Sequence, residues 1–246
     1  STKAGTVHLT SHELCHQYLP FYMGTNERKY PFMDEGWAVM LPFDFQERTA
    51  EGYNPRERYV KTYEEFAGNE YDLPIMIPSP TISYRTYRTS AYNKSANAYE
   101  ILRKTLGDKL FLKAMQTYME RWNGKHPIPT DFFFTFNEAT GQNLNWFWKS
   151  WFYNFGYPDL AISKIQSKKN SIIVEIKNIG SLPLPIKLQV MFKDKVIKEI
   201  YQTADAWKSG KDTIELKIDG VKNYDAVILG SELIPEVNSV DNVYFK

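Results

Sequence analysis

Along the chain, apolar positions recur with mainly helical spacing as far as about Tyr157, and the pattern then shortens and alternates from Pro158 onward. In "SAYNKSANAYEILRKTLG", Ser90–Gly107, a serine stands near the start, Tyr99, Ile101 and Leu102 are the apolar positions within, and Gly107 marks the stop. A second helix is predicted for "DKLFLKAMQTYMERWNG", ending at Asn123 and Gly124. A third runs from Thr130 and Asp131 to about Gly141, and a fourth is "LNWFWKSWFYNFG", closed by Gly156 and Pro158. Between Phe43 and Thr89 the pattern is weaker: helical pieces are expected around Arg56–Phe66, whereas "YDLPIMIPSPTISYRTYR", with three prolines, reads as irregular.

After Pro158 the segments "SIIVEIKNIG", "IKLQVMFKD", "KVIKEIYQ", "DTIELKID" and "DAVILG" are short, rich in Ile and Val, and separated by turn residues. Ile186, Leu188, Val190 and Phe192 would share one face of a strand. The pattern predicts an α+β chain of two domains, a mainly α-helical lobe over 1–157 and a small all-β sandwich over 158–246.

Composition narrows the class without naming a function. The 246 residues are 43% hydrophobic and 24% charged, and no apolar run is long enough to span a bilayer. Thirty basic against twenty-nine acidic residues give a net charge of +1, and no Lys/Arg cluster marks a nucleic-acid surface or a polybasic anchor. Cys15 is the single cysteine, which excludes an internal disulfide. The first motif follows within a dozen residues of a start that has no initiator Met, so a preceding domain of the same parent protein is expected.

That motif is "HELCH". His12 and His16 are four apart, so on a helix their imidazoles lie one turn apart on one face and can reach one Zn²⁺. Glu13 is turned about 100° away, free to act on water instead of binding the ion. Two histidines leave a catalytic zinc site one ligand short. Glu35, separated from His16 by eighteen residues and lying in "FMDEGWAVML", is the candidate third ligand, and Pro20, Gly24 and Pro31 let the chain turn back between them. His8 and His12 are also four apart, but Leu9 follows His8 where the chemistry needs a carboxylate. His8 is therefore read as a helix-face histidine near the site, His126 in "GKHPIP" as a loop histidine, and Cys15 as a small buried apolar residue.

"HELCH" followed after eighteen residues by Glu35 in "DEGWA" resembles the gluzincin metallopeptidases of the aminopeptidase N type, whose pattern is HExxH-x18-E. "SAYNKSANAYEILRKTLGDKLFLKAMQTYMERW" is similar to that family's Tyr-x-Lys-Gly segment and the helices after it, and "DFFFTFNEATGQNLNWFWKSWFYNFGYPDL" to its closing helices. The resemblance implies a thermolysin-like catalytic lobe followed by an immunoglobulin-like sandwich, and one Zn²⁺ held by His12, His16 and Glu35. It implies Glu13 as general base, Tyr92 in "AYNKS" as hydroxyl donor to the oxyanion, and peptides as substrates. Lys94 is expected to brace the helix start or the cleft. Two departures are small: Asp34 stands where Asn is usual, and Ser95 where Gly is usual. A third is larger, since the Gly-x-Met-x-Asn motif of the exopeptidases is not in this chain. Three functions remain open at this point: a zinc aminopeptidase, a zinc endopeptidase with the same ligands, and an inactive fragment serving as a binding or scaffold module. No substrate-binding set is identified.

Overall fold

Thr2 starts the first helix, α1 (Lys3–His16), by accepting a hydrogen bond from the Gly5 amide at 3.1 Å. The computed structural model describes residues 2–246, which divide into two units, one ending at Phe155 and the other spanning Gly156–Lys246. The division falls just ahead of Pro158 because the Tyr157 amide donates to the Gly180 carbonyl oxygen at 2.8 Å, tying Tyr157 to the second unit.

In the first unit a 3₁₀ turn, Pro31–Met33, leads into α2 (Glu35–Met40), and α3 (Phe43–Thr49) and α4 (Pro55–Glu64) follow. Asn54 caps α4 by accepting from the Glu57 amide at 3.1 Å, with Pro55 at the first helical position, where its missing N–H costs nothing. The proline-rich stretch is irregular apart from a 3₁₀ turn at Ser79–Thr81. Ser83 then caps α5 (Tyr84–Tyr87), accepting from the Thr86 amide at 3.2 Å, and a π-helical turn, Arg88–Lys94, continues into α6 (Ser95–Leu106). The helix expected from Ser90 thus belongs to a helical run that starts six residues earlier, and "SYRTYR" is helical instead of irregular. Next come α7 (Asp108–Trp122), α8 (Pro129–Thr140) and α9 (Asn145–Trp148), the last running into a second π-helical turn at Lys149–Tyr153. Gly141 ends α8 at φ 67°, a left-handed backbone that glycine adopts without strain.

α2 is the centre of this unit, since every residue from Gly36 to Met40 is buried. The Trp37 ring stacks on Tyr99 of α6 at 3.6 Å with 5° between planes, and Phe132 of α8 meets the indole edge-on at 5.4 Å. This close approach needs a glycine beside Glu35: a Cβ on Gly36 would lie 2.7 Å from Ser95 Cβ and 2.9 Å from Tyr99 Cε2. Glu35 is thereby set at the head of a short helix clamped on all sides.

The second unit consists of two antiparallel sheets, β1-β2-β5 and β4-β3-β6-β7, formed by β1 (Leu160–Lys168), β2 (Ser171–Asn178), β3 (Ile186–Phe192), β4 (Lys195–Gln202), β5 (Thr213–Asp219), β6 (Ala226–Leu229) and β7 (Val243–Phe245). Ile172, Val174 and Ile176 of β2, with Ile186, Leu188 and Val190 of β3, are buried at period two. Phe192, expected on that same face, is half-exposed, because the pairing with β4 shifts register between Val190 and Met191. Helical unit and β unit together match the α+β class expected from the pattern.

Candidate metal centre

α1 carries His12 and His16 one turn apart, and α2 presents Glu35 to both. The two Nε2 atoms are 3.0 Å apart, and Glu35 Oε2 lies 3.2 Å from that of His12 and 3.5 Å from that of His16. Two imidazole nitrogens at this separation share either a proton or an ion. Glu35 Oε2 is buried and, although close to both nitrogens, makes no hydrogen bond of acceptable geometry. An orphaned carboxylate oxygen between two imidazole nitrogens is a donor set suited to a divalent transition metal. Size supports the fit: ligands about 2.0–2.1 Å from a tetrahedral ion stand roughly 3.3 Å from one another, and the three observed separations bracket that value.

The other atoms of these side chains are held from outside. His16 Nδ1 is 3.0 Å from the Leu19 carbonyl oxygen, with Asp34 Oδ1 alongside at 2.7 Å, so its Nε2 is turned toward the cluster. Asp34, then Glu35, raises His16 to about 11 against the opposing effect of burial. Burial works against ionisation of Glu35, yet the His12 and His16 imidazoles and the Tyr92 hydroxyl beside it bring its carboxyl down to about 2. Glu35 Oε1 accepts from the Tyr92 hydroxyl, and from the Tyr87 hydroxyl at 3.2 Å, which leaves Oε2 as the oxygen facing the histidines.

Tyr92 belongs to the π-helical turn, and its ring lies nearly parallel to that of His12, 5.9 Å between centroids and 19° between planes. Burial, then Glu35, pushes its phenol well above the usual range. Glu13, beside His12 on α1, is exposed. His8 lies outside the cluster of His12, His16 and Glu35, its ring 6.4 Å from that of His12 and its Nε2 3.4 Å from the Tyr59 hydroxyl. Burial and the Arg58 charge keep His8 neutral, lowering it to about 4. His126 holds the loop between His16 and Glu35, its Nδ1 2.9 Å from the Gly24 carbonyl oxygen. Cys15 is half-buried, and burial alone raises its thiol to about 11. Lys94 is fully buried and donates to Asp72 Oδ1 at 2.7 Å.

Tyr87, Arg88 and Asp34 adjoin the site, and reasoning from the sequence assigned none of them a role there. In an α-helix Tyr87 and Tyr92, five apart, would point about 140° from each other. The π-helical turn, whose hydrogen bonds span five residues, brings both onto Glu35. A cavity of about 460 Å³ opens beside Glu35, lined by Glu27, Arg28, Asp34, Tyr84 and Tyr87 among others.

Residues 1–151 match the model of the Peptidase family M1 domain, and the chain belongs to that family. It is 24% identical over 149 residues to puromycin-sensitive aminopeptidase of Caenorhabditis elegans, covering 52% of this chain and 16% of that protein. To aminopeptidase N of Plutella xylostella it is 20% identical over 186 residues, covering 71% of this chain and 20% of the relative. The fold is like that of Legionella pneumophila aminopeptidase A, solved in complex with aspartic acid, with a TM-score of 0.67 and 17% identity over 89% of this chain and 25% of that one. The chain therefore spans a quarter or less of the length of these three relatives.

Proposed function

We propose that His12, His16 and Glu35 hold one Zn²⁺ and that the chain supplies the metal- and water-handling part of a zinc metallopeptidase that removes N-terminal residues from peptides. The observation that carries this is the triangle of two Nε2 atoms and one orphaned carboxylate oxygen with the edge lengths of a zinc site. The aminopeptidase relatives favour exopeptidase action over the endopeptidase alternative. The ion, when bound, supplies Lewis-acid polarisation of the scissile carbonyl and lowers the pKa of water toward about 7.

The rest of the work falls to the chain itself. Glu13, turned away from the ligand face and open to solvent, takes the proton from the attacking water and later delivers it to the leaving amine. Tyr92 has a single proton to donate, and with no substrate bound it gives that proton to Glu35 Oε1. As charge develops on the substrate's carbonyl oxygen the phenol donates to it instead, a contact of about 3 kcal/mol when preorganised. Tyr87 keeps Glu35 Oε1 satisfied while Tyr92 is engaged elsewhere.

The test is Glu13→Gln in the protein that carries this chain, with zinc content and peptide hydrolysis measured together. Zinc retained with hydrolysis abolished is the expected result, and hydrolysis that survives the substitution refutes the role of Glu13. Comparing free-amine with N-blocked peptides then separates the two peptidase readings, since equal rates on both would argue for an endopeptidase.

A further inference from the structure

The Lys and Arg side chains of the helical unit that are not exposed are Arg56, Arg88, Lys94 and Arg103. Three of them meet carboxylates. Arg56 reaches Glu47 at 2.6 Å and Glu100 at 2.8 Å, Lys94 reaches Asp72 at 2.7 Å, and Arg103 reaches Asp108 at 2.7 Å and Asp44 at 2.9 Å. Among the described residues Arg88 has no ion pair, and no hydrogen bond leaves its guanidinium. A half-buried cation loses hydration, and the usual return is a paired anion or a strong acceptor.

What Arg88 does have is a position. Its Cζ lies 3.8 Å over the Tyr92 ring, the same ring that lies against His12, so one aromatic ring separates the unpaired cation from the ligand triangle. A second arginine serves the same corner. Arg58 Nη1 donates to the Tyr53 hydroxyl at 3.1 Å, and it too has no carboxylate within ion-pair distance among the described residues. Both arginines act electrostatically on His8 and Tyr59. The wall of the site around Arg88 therefore presents positive charge and phenol hydroxyls, while Asp34 and Glu27 line the cavity beside Glu35.

We propose that Arg88 is a specificity-determining residue that receives a substrate carboxylate next to the reacting peptide bond. Arg58 and the tyrosines around His8 support this subsite. A guanidinium held flat on an aromatic ring keeps its N–H edge free, and that edge matches a carboxylate two bonds at a time. Two chemical sources would place a carboxylate there, the C-terminus of a short peptide or the side chain of an acidic residue. The inference rests on the peptidase reading for what the carboxylate is attached to, but the anion site itself is measured without turnover.

Binding is followed by calorimetry in the Glu13→Gln background, so that peptides are not consumed, with zinc content determined on every sample. One probe pair is Leu-Gly and Leu-Gly-amide, which differ only at the C-terminal carboxylate. The other is Glu-Gly-amide and Gln-Gly-amide, which differ only at the side chain. The charged member of one pair is expected to bind about tenfold or more tighter than its neutral twin, as a charge-assisted hydrogen bond implies. Which pair discriminates identifies the source.

Arg88→Met should bring that ratio close to one at unchanged zinc content, and Arg88→Lys should retain part of it. Equal binding within both pairs, or a ratio that persists in Arg88→Met, overturns the proposal. If the ratio is present in a protein that holds no zinc, the anion site stands and the peptidase reading falls. If zinc binds, Glu13→Gln abolishes hydrolysis and neither pair discriminates, only the anion site falls.

Discussion

Substituting Lys94 by Met removes the charge of the fully buried ammonium and leaves the carboxylate of Asp72 behind, its side chain 1% exposed. Lys94 lies two residues past Tyr92 at the end of the π-helical turn, and its ion pair ties that turn to the irregular segment after α4. Removing one partner of a buried pair costs about 3–5 kcal/mol, mainly because the other charge is stranded. Here the stranded carboxylate keeps two donors on Oδ2, the Tyr63 hydroxyl at 3.1 Å and the Gly68 amide at 2.9 Å, which points to the lower end, about 3 kcal/mol. For a chain of this size that loss corresponds to roughly 6–12 °C in the midpoint of thermal unfolding, followed by the far-ultraviolet signal of the helical unit. The double variant Lys94→Met/Asp72→Leu strands nothing and should recover a good part of the loss, giving a favourable coupling in the double-mutant cycle. A Lys94→Met protein within about 1 kcal/mol of wild type, or a double variant as unstable as the sum of the two singles, would refute the view that this pair holds the turn in place.

Gly36→Ala should destabilise the chain by about 1–3 kcal/mol, because the added Cβ meets Ser95 and Tyr99 below 3 Å; it should also weaken zinc binding by moving Glu35, and unchanged stability in urea titration would contradict the clamp. Asp34→Asn should lower zinc affinity about tenfold in chelator competition, near the low end for such partners, because the Leu19 carbonyl still holds His16 Nδ1. In metal-free protein His16 sits at about 11, raised above its ordinary 6.5, so its contribution to stability is complete below pH 6.5 and is lost as pH rises toward 11. The difference in stability between wild type and His16→Gln, measured after chelation, should therefore shrink above pH 6.5, and a constant difference would show that the proton is not held there. Glu35, brought down to about 2, contributes in the opposite sense, with stability that is complete above pH 4.5 and lost as pH falls toward 2.

His12, His16 and the offset of Glu13 were legible in the sequence because a single helical turn relates them, and α1 has that period from Lys3 to His16. Glu35 was legible as a candidate only through its spacing and the turn residues between. What fixes it is Gly36, whose missing side chain admits Ser95, and that is a tertiary fact. Tyr87 and Arg88 were out of reach because periodicity arguments assume 3.6 residues per turn, and the π-helical turn departs from it where the site is built. Asp34 was noticed as a departure from the usual Asn, but its approach to His16 appears only once α1 and α2 are in contact. In the β unit, β1 escaped notice because its pairing with β2 shifts register between Ile162 and Lys164, which breaks the alternation that marks a strand.

The π-helical turn also bears on redesign. A residue deleted between Arg88 and Lys94 would let the run from Tyr84 to Leu106 wind as one continuous α-helix, and any scheme that rewards regular backbone would favour the change. If the residue removed is Asn93, outside the Tyr87–Tyr92 interval, the two tyrosines stay five apart and an α-helical period turns them about 140° from each other, and Glu35 would lose one of the two phenols that hold its outer oxygen. Here local regularity and a working site are competing objectives, and a stabilisation programme should leave this stretch of backbone at its present length.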